Sequence, residues 1–179
     1  EVYRTLMNMR WQPNLQIIPH YESEPLYIDA LIKSIKKKIN EIKWKPDLII
    51  ASYHGIPKKY FDKGDPYHCY CHKTTRLMSE KFKEIPIKTT FQSRFGPQEW
   101  LQPYTDKTIE KLPGEGKKNL LVISPGFSSD CVETLEEISI QAKDSFLKSG
   151  GLNFEMVPCL NDNDDHIKLL KYLITKNNP

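Results

Sequence analysis

Short apolar runs alternate with segments of helical period along this chain, and that alternation restricts its fold more than any other feature. The runs lie at residues 15–19 (LQIIP), 48–52 (LIIAS), 87–92 (IKTTFQ), 119–124 (NLLVIS) and 153–157 (NFEMV), and each is about as long as a buried strand. Between the first two, residues 25–42 place Ile28, Leu31, Ile32, Ile35, Ile39 and Ile42 three or four apart, which predicts an amphipathic helix. Further helices are predicted over 67–82, 131–148 and 163–175. The third of these four, 131–148, stops at Ser149-Gly150-Gly151. Strands separated by helices predict βαβ units, hence an α/β fold with a parallel sheet and helices on both faces. Ligands of such sheets bind outside the carboxyl ends of the strands. The chemically rich segments SYHGIP and SPGFSSDCVETLEE both begin where a predicted strand ends.

At 179 residues the chain is long enough for one domain with a real core. A net charge of +3 gives no argument for nucleic acid. The densest basic patch, Lys33 with Lys36, Lys37 and Lys38, lies on the 25–42 helix and reads as a solvated face, with peripheral contact to an anionic membrane as the alternative. No apolar run approaches the ~18 residues that a membrane span needs. Four cysteines suit reduced thiols in a cytoplasmic compartment better than a disulfide framework. The chain opens without Met, in EVYRTLMNMRW, and is expected to be a piece of a longer polypeptide.

Four groups of residues carry chemistry. His54, followed by Gly55 and Pro57 at a strand end, could be a base, a metal ligand or a hydrogen-bonded loop histidine. Glu133 and Glu137 sit four apart, on one helix face expected to lie away from an apolar stripe of Val132, Leu135, Ala142 and Phe146. They suit a hard cation or a proton relay, while Asp130-x-x-Glu133 also reads as a capping box. Cys69-x-Cys71-His72 has metal-ligand residue types without the usual zinc spacing. The loop TTFQSRFGPQEWLQPYT combines Gln92, Ser93 and Arg94 with Phe95, Trp100 and Tyr104, a set suited to a flat aromatic ligand bearing carboxylates or simply to covering the core. LNDNDDH at 160–166 lacks the glycine and glutamate of a calcium loop and reads as a helix N-cap. No dinucleotide or P-loop glycine pattern is present.

Taken in order, SYHGIPKKYFDKGDPY (52–67), FQSRFGPQEWLQPYTDKTIEKL (91–112) and SPGFSSDCVETLEEI (124–138) resemble the ferrochelatases, enzymes that insert ferrous iron into protoporphyrin IX to give protohaem. MRWQPNLQIIPHY (9–21) resembles the bacterial branch of that family. The resemblance implies a Rossmann-like, four-stranded parallel sheet flanked by helices, the second of two similar domains with the porphyrin between them. Residues 1–10 would be the tail of an amino-terminal domain and 11–179 the carboxyl-terminal ferrochelatase domain. It implies that His54 accepts pyrrole protons and contacts the metal, that Glu133 faces it, and that Glu137 passes metal or protons along the helix. Gln92, Ser93, Trp100 and Phe127 would line the porphyrin site, with Asp130 supporting it. The next rung of the family's acid ladder is Gln141 here, which shortens any relay. Ferrous iron enters as substrate. No iron–sulfur cluster is expected, since Cys69 and Cys71 do not match the family's cysteine tail and the chain ends LITKNNP. The implied partners are protoporphyrin IX or coproporphyrin and iron, and the expected location is the cytoplasm or the inner membrane face. The rival functions are a metal- or porphyrin-binding half domain without catalysis, and a cobalt chelatase of the same fold.

Overall fold

The computed structural model describes residues 1–176; residues 177–179, the end of the LITKNNP segment, lie outside the described residues. Strands β1 (Leu48–His54), β2 (Ile87–Gln92), β3 (Asn119–Ile123) and β4 (Asn153–Met156) form one sheet in the order β2-β1-β3-β4. Every pairing is parallel. Strand alternation divides the core between the two faces. Ile49, Ala51, Tyr53, Phe91, Leu121 and Ile123 face one cluster, shared with helices α2 (Pro25–Glu41), α4 (Tyr67–Lys81) and α8 (Asp164–Lys176). Leu48, Ile50, Leu120, Val122, Phe154 and Met156 face the other, which is closed by α5 (Thr105–Lys111) and the 132–148 helical segment. The chain also forms two short helices, α1 (Val2–Met7) and α3 (Lys58–Asp62).

Residues 15–19 are not a strand. They have no ladder partner and their apolar side chains are exposed, Ile17 by 63%. Pro13 and Pro19 bracket the run, and proline cannot donate to a ladder. The segment is instead tied down through its end: Glu22 Oε1 accepts from Lys73 Nζ at 2.8 Å, and His20 Nδ1 lies 2.6 Å from Glu22 Oε2. Burial alone would raise the Glu22 carboxyl. The bonds from Lys73, His20 and its own backbone N–H outweigh burial and bring its pKa down to about 2.

The expected helix over 131–148 is divided. α6 (Val132–Leu135) gives way to a π-helical segment (Glu137–Ala142) and then α7 (Lys143–Lys148), with Gln141 N donating to Glu136 O five residues back at 2.9 Å. The stripe is accordingly different from expectation. Val132 and Leu135 are 68% and 52% exposed, while Thr134, Ile138, Ala142 and Phe146 are buried. These four are spaced by four, which advances about 400° in an α-helix and would drift off the sheet. Wider π winding holds them in line.

Candidate active site at the sheet switch point

β1 lies between β2 and β3, so the chain leaves it toward one edge and later returns to the other. The crevice at the carboxyl ends of β1 and β3 is therefore the topological switch point of the sheet. His54 is the last residue of β1, and the turn after β3 leads to Glu133 at the start of α6.

The ring of His54 is half-buried, with Nδ1 2.7 Å from the Gly55 carbonyl oxygen. A carbonyl only accepts, so the neutral ring carries its proton on Nδ1 and leaves the Nε2 lone pair free. Tyr67 Oη donates to the His54 carbonyl at 2.9 Å and steadies the strand end. Gly55 serves a close approach of backbone to backbone and to Trp100. A Cβ there would stand 2.9 Å from the Gln92 carbonyl oxygen and 3.2 Å from Trp100 Cε3. Trp100 and Phe127 flank the histidine, their ring centroids 6.5 and 6.3 Å from its own. Trp100 is held by its Nε1 donating to Phe95 O at 2.9 Å. Phe127 also lines a cavity of about 330 Å³ walled by Tyr27, Tyr53, Tyr67 and Tyr70.

Glu133 is half-buried at the second position of α6. Its carboxyl lies below the usual range, first through the Cys131 thiol, then through its own backbone N–H, with a smaller pull from His54. Asp130 and Glu133 do not form the expected capping box. Cys131 is the N-cap, and its partner is Thr134, whose Oγ1 accepts from Cys131 N at 2.9 Å. Asp130 instead ties two loops together, accepting from Asn161 Nδ2 at 2.8 Å and from Cys159 N at 3.1 Å. Burial opposes its ionisation, and these bonds overcome that to lower its pKa.

Glu137 is gripped by β2. Its Oε1 accepts from Ser93 N at 2.7 Å, and its Oε2 from Ser93 Oγ at 2.5 Å and Gln92 Nε2 at 3.2 Å. Ser93 adopts φ +60 to aim its N–H this way, a left-handed conformation costly for a non-glycine residue. Gln92 is buried. Its Nε2 also donates to Glu133 O at 2.7 Å, and its Oε1 accepts from Ser52 Oγ at 2.7 Å. Ser52 continues to Thr105 and Thr90 through hydroxyl contacts of 2.8 Å. A buried polar chain thus runs from the sheet to the backbone of Glu133 and the carboxylate of Glu137. Gln141, on the expected ladder, donates to Glu136 Oε1 at 3.1 Å.

Sequence reasoning missed Ser52, Thr90, Thr105, Tyr67 and Cys131. Ser52 and Thr90 are polar within otherwise apolar strands, but only the register, which pairs Ser52 with Thr90 and His54 with Gln92, sets them on one face. Of the predicted metal-type cysteines, Cys69 is exposed and Cys71 is buried, its thiol pushed by burial up to about 12. Among the described residues no group of three or more His, Cys, Asp or Glu side chains is placed to hold a metal ion. None of their helices is long and apolar enough to cross a membrane.

Fold and site together define an α/β domain of the open parallel-sheet class, with a histidine, acids and aromatic side chains at its switch point. Comparison with known proteins makes the assignment narrower. Residues 1–178 match the Ferrochelatase family. The chain is 52% identical to the ferrochelatases of Rhizobium meliloti (strain 1021) and Rhizobium etli (strain CIAT 652), and 48% identical to that of Agrobacterium fabrum (strain C58). Each comparison covers 98% of this chain and 52% of the relative, so the chain spans about half the length of these relatives. The chain belongs to the ferrochelatase family.

Proposed function

We propose that this chain supplies the histidine- and acid-bearing half of an enzyme that inserts Fe²⁺ into protoporphyrin IX, yielding protohaem. The observation that carries the reading is the contact of His54 Nδ1 with the Gly55 carbonyl at 2.7 Å, which assigns the proton of the neutral ring to Nδ1 and leaves Nε2 as an acceptor, with Trp100 and Phe127 beside the ring. Metal insertion releases two protons from pyrrole nitrogens in the plane of the macrocycle. A neutral imidazole accepts such a proton near neutral pH. Trp100 and Phe127 offer flat apolar faces to the macrocycle. Glu133, kept ionised, provides a hard oxygen donor that exchanges water with Fe²⁺ and then releases the ion to the porphyrin. His54 and Glu133 thus divide proton and metal duties. Glu137, with its oxygens engaged by Ser93 and Gln92, acts behind Glu133 and takes a proton or cation only when Ser93 lets go. Gln92 and Ser93 contribute by fixing these acids, and Asp130 by fixing the loop that carries Phe127. The location we propose is the cytoplasm or the inner membrane face.

The test is anaerobic mixing of the full-length protein, both halves present, with Fe²⁺ and protoporphyrin, followed by metalloporphyrin absorbance, with coproporphyrin and Co²⁺ as parallel arms. Preferential Fe²⁺ insertion supports the reading. Porphyrin binding without insertion assigns a carrier instead. Glu133→Gln adds a contrast: loss of turnover with unchanged folding identifies a reacting acid, and retained turnover reduces Glu133 to a helix-start residue.

A further inference from the structure

His68 and His72 lie one turn apart on α4, outside the His54 site, with ring centroids 4.4 Å apart. Among the described residues neither imidazole has a hydrogen-bond partner. His68 is half-buried, stacked on Phe91 with Phe61 on another side, and lines a cavity of about 280 Å³ with Lys58, Glu99 and Trp100. His72 is exposed. Two histidines at i and i+4 on one helix face form a natural chelate for a borderline divalent ion. With metal–nitrogen bonds of about 2.0–2.1 Å, a metal sits about 3.2 Å from each ring centroid, so two imidazoles have centroids about 4.5 Å apart at an octahedral cis angle and about 5.2 Å apart at a tetrahedral one. The observed separation is near the octahedral value, which suits an ion completed by water, and the broad χ2 preference of histidine lets each ring turn to aim its nitrogen.

We propose that His68 and His72 form a second metal site, a two-imidazole chelate for a first-row divalent ion whose remaining positions are filled by water. Two protein donors make the ion exchangeable rather than structural. Cys69 is not required, and Cys71 is buried away from the pair. Trp100 belongs to both neighbourhoods: it walls the cavity beside His68 and lies 6.5 Å from the His54 ring. An ion held here is therefore close to the reaction crevice. A role in supplying or competing with substrate metal rests on the function proposed above; the binding itself does not.

Zn²⁺ binding measured by calorimetry on the purified protein tests this directly, comparing wild type with His72→Gln, Cys69→Ser and His54→Ala. Because His72 is exposed, its replacement leaves packing intact, and an unchanged melting temperature verifies that. The expected result is one class of Zn²⁺ sites weakened at least tenfold in His72→Gln but kept in Cys69→Ser and in His54→Ala. Kept binding in His54→Ala separates this site from the proposed reaction centre, so that failure of one does not entail failure of the other. An isotherm unchanged by His72→Gln, or one abolished by Cys69→Ser, overturns the proposal.

Discussion

Single residues at the crevice carry more than one constraint. Gly55 donates its N–H to the Gln92 carbonyl at 2.8 Å while its missing Cβ leaves room for that same oxygen. Gly55→Ala is therefore expected to push β1 from β2, costing about 1–3 kcal/mol in urea denaturation and displacing Trp100. Glu22, whose side chain is 10% exposed, makes a prediction about pH. Its carboxyl titrates near 2 in the folded protein against an ordinary value of 4.5, so its contribution is complete above about pH 4.5 and is lost as pH falls toward 2. Lys73→Ala should lower stability at neutral pH and flatten the acid dependence across that window, as read from denaturation at successive pH values. A parallel shift of the whole curve, with the same slope, would show that the Lys73 pairing does not set the Glu22 titration. The strand-end position of His54 was legible in the sequence because an apolar run directly precedes it, whereas Glu133, well beyond the end of β3, was assigned its role by the resemblance. Ser52 and Thr105 were not legible, because their role depends on a register that local patterning does not specify.

At the scale of elements, β2 and the 132–148 segment hold each other. Ser93 in its left-handed conformation and buried Gln92 fasten Glu137, and the π winding lets Ile138, Ala142 and Phe146 stay against the sheet at the same time. Ser93→Gly keeps the backbone donor and eases the conformation, so it should cost little stability. Ser93→Ala retains the strain without the hydroxyl and should be the less stable variant in denaturation and the less active in metal insertion. Equal behaviour of the two would mean that the conformation of Ser93 is immaterial. Ile138→Ala, at a fully buried position within the π segment, should cost about 2–5 kcal/mol. The expectation of one continuous helix failed here because a 100° period assigns Val132 and Leu135 to the core. The four-residue spacing of Thr134, Ile138, Ala142 and Phe146 was the available signal. Residues 15–19 failed for a different reason: an apolar run becomes a strand only where an edge is free to receive it, and this one lies between prolines.

On the scale of the whole molecule, a parallel sheet ordered β2-β1-β3-β4 brings together residues that are far apart in sequence. That order puts His54 and the loop leading to Glu133 on adjacent strands, and the aromatic loop after β2 folds back so that Leu101 N meets Ile56 O at 3.0 Å. The fold class was legible from the alternation of runs alone. The patterning of runs did not bring histidine and acid together; the family resemblance implied that they face each other, and the sheet order sets their strands side by side. The central claim is that His54 takes pyrrole protons, and the most direct test is the rate of Fe²⁺ insertion by His54→Ala against wild type under saturating porphyrin. A positioned general base contributes about 10²–10⁴-fold, and a loss of that size, with porphyrin binding and melting temperature unchanged, is the predicted result. Turnover by His54→Ala at the wild-type rate would contradict the account.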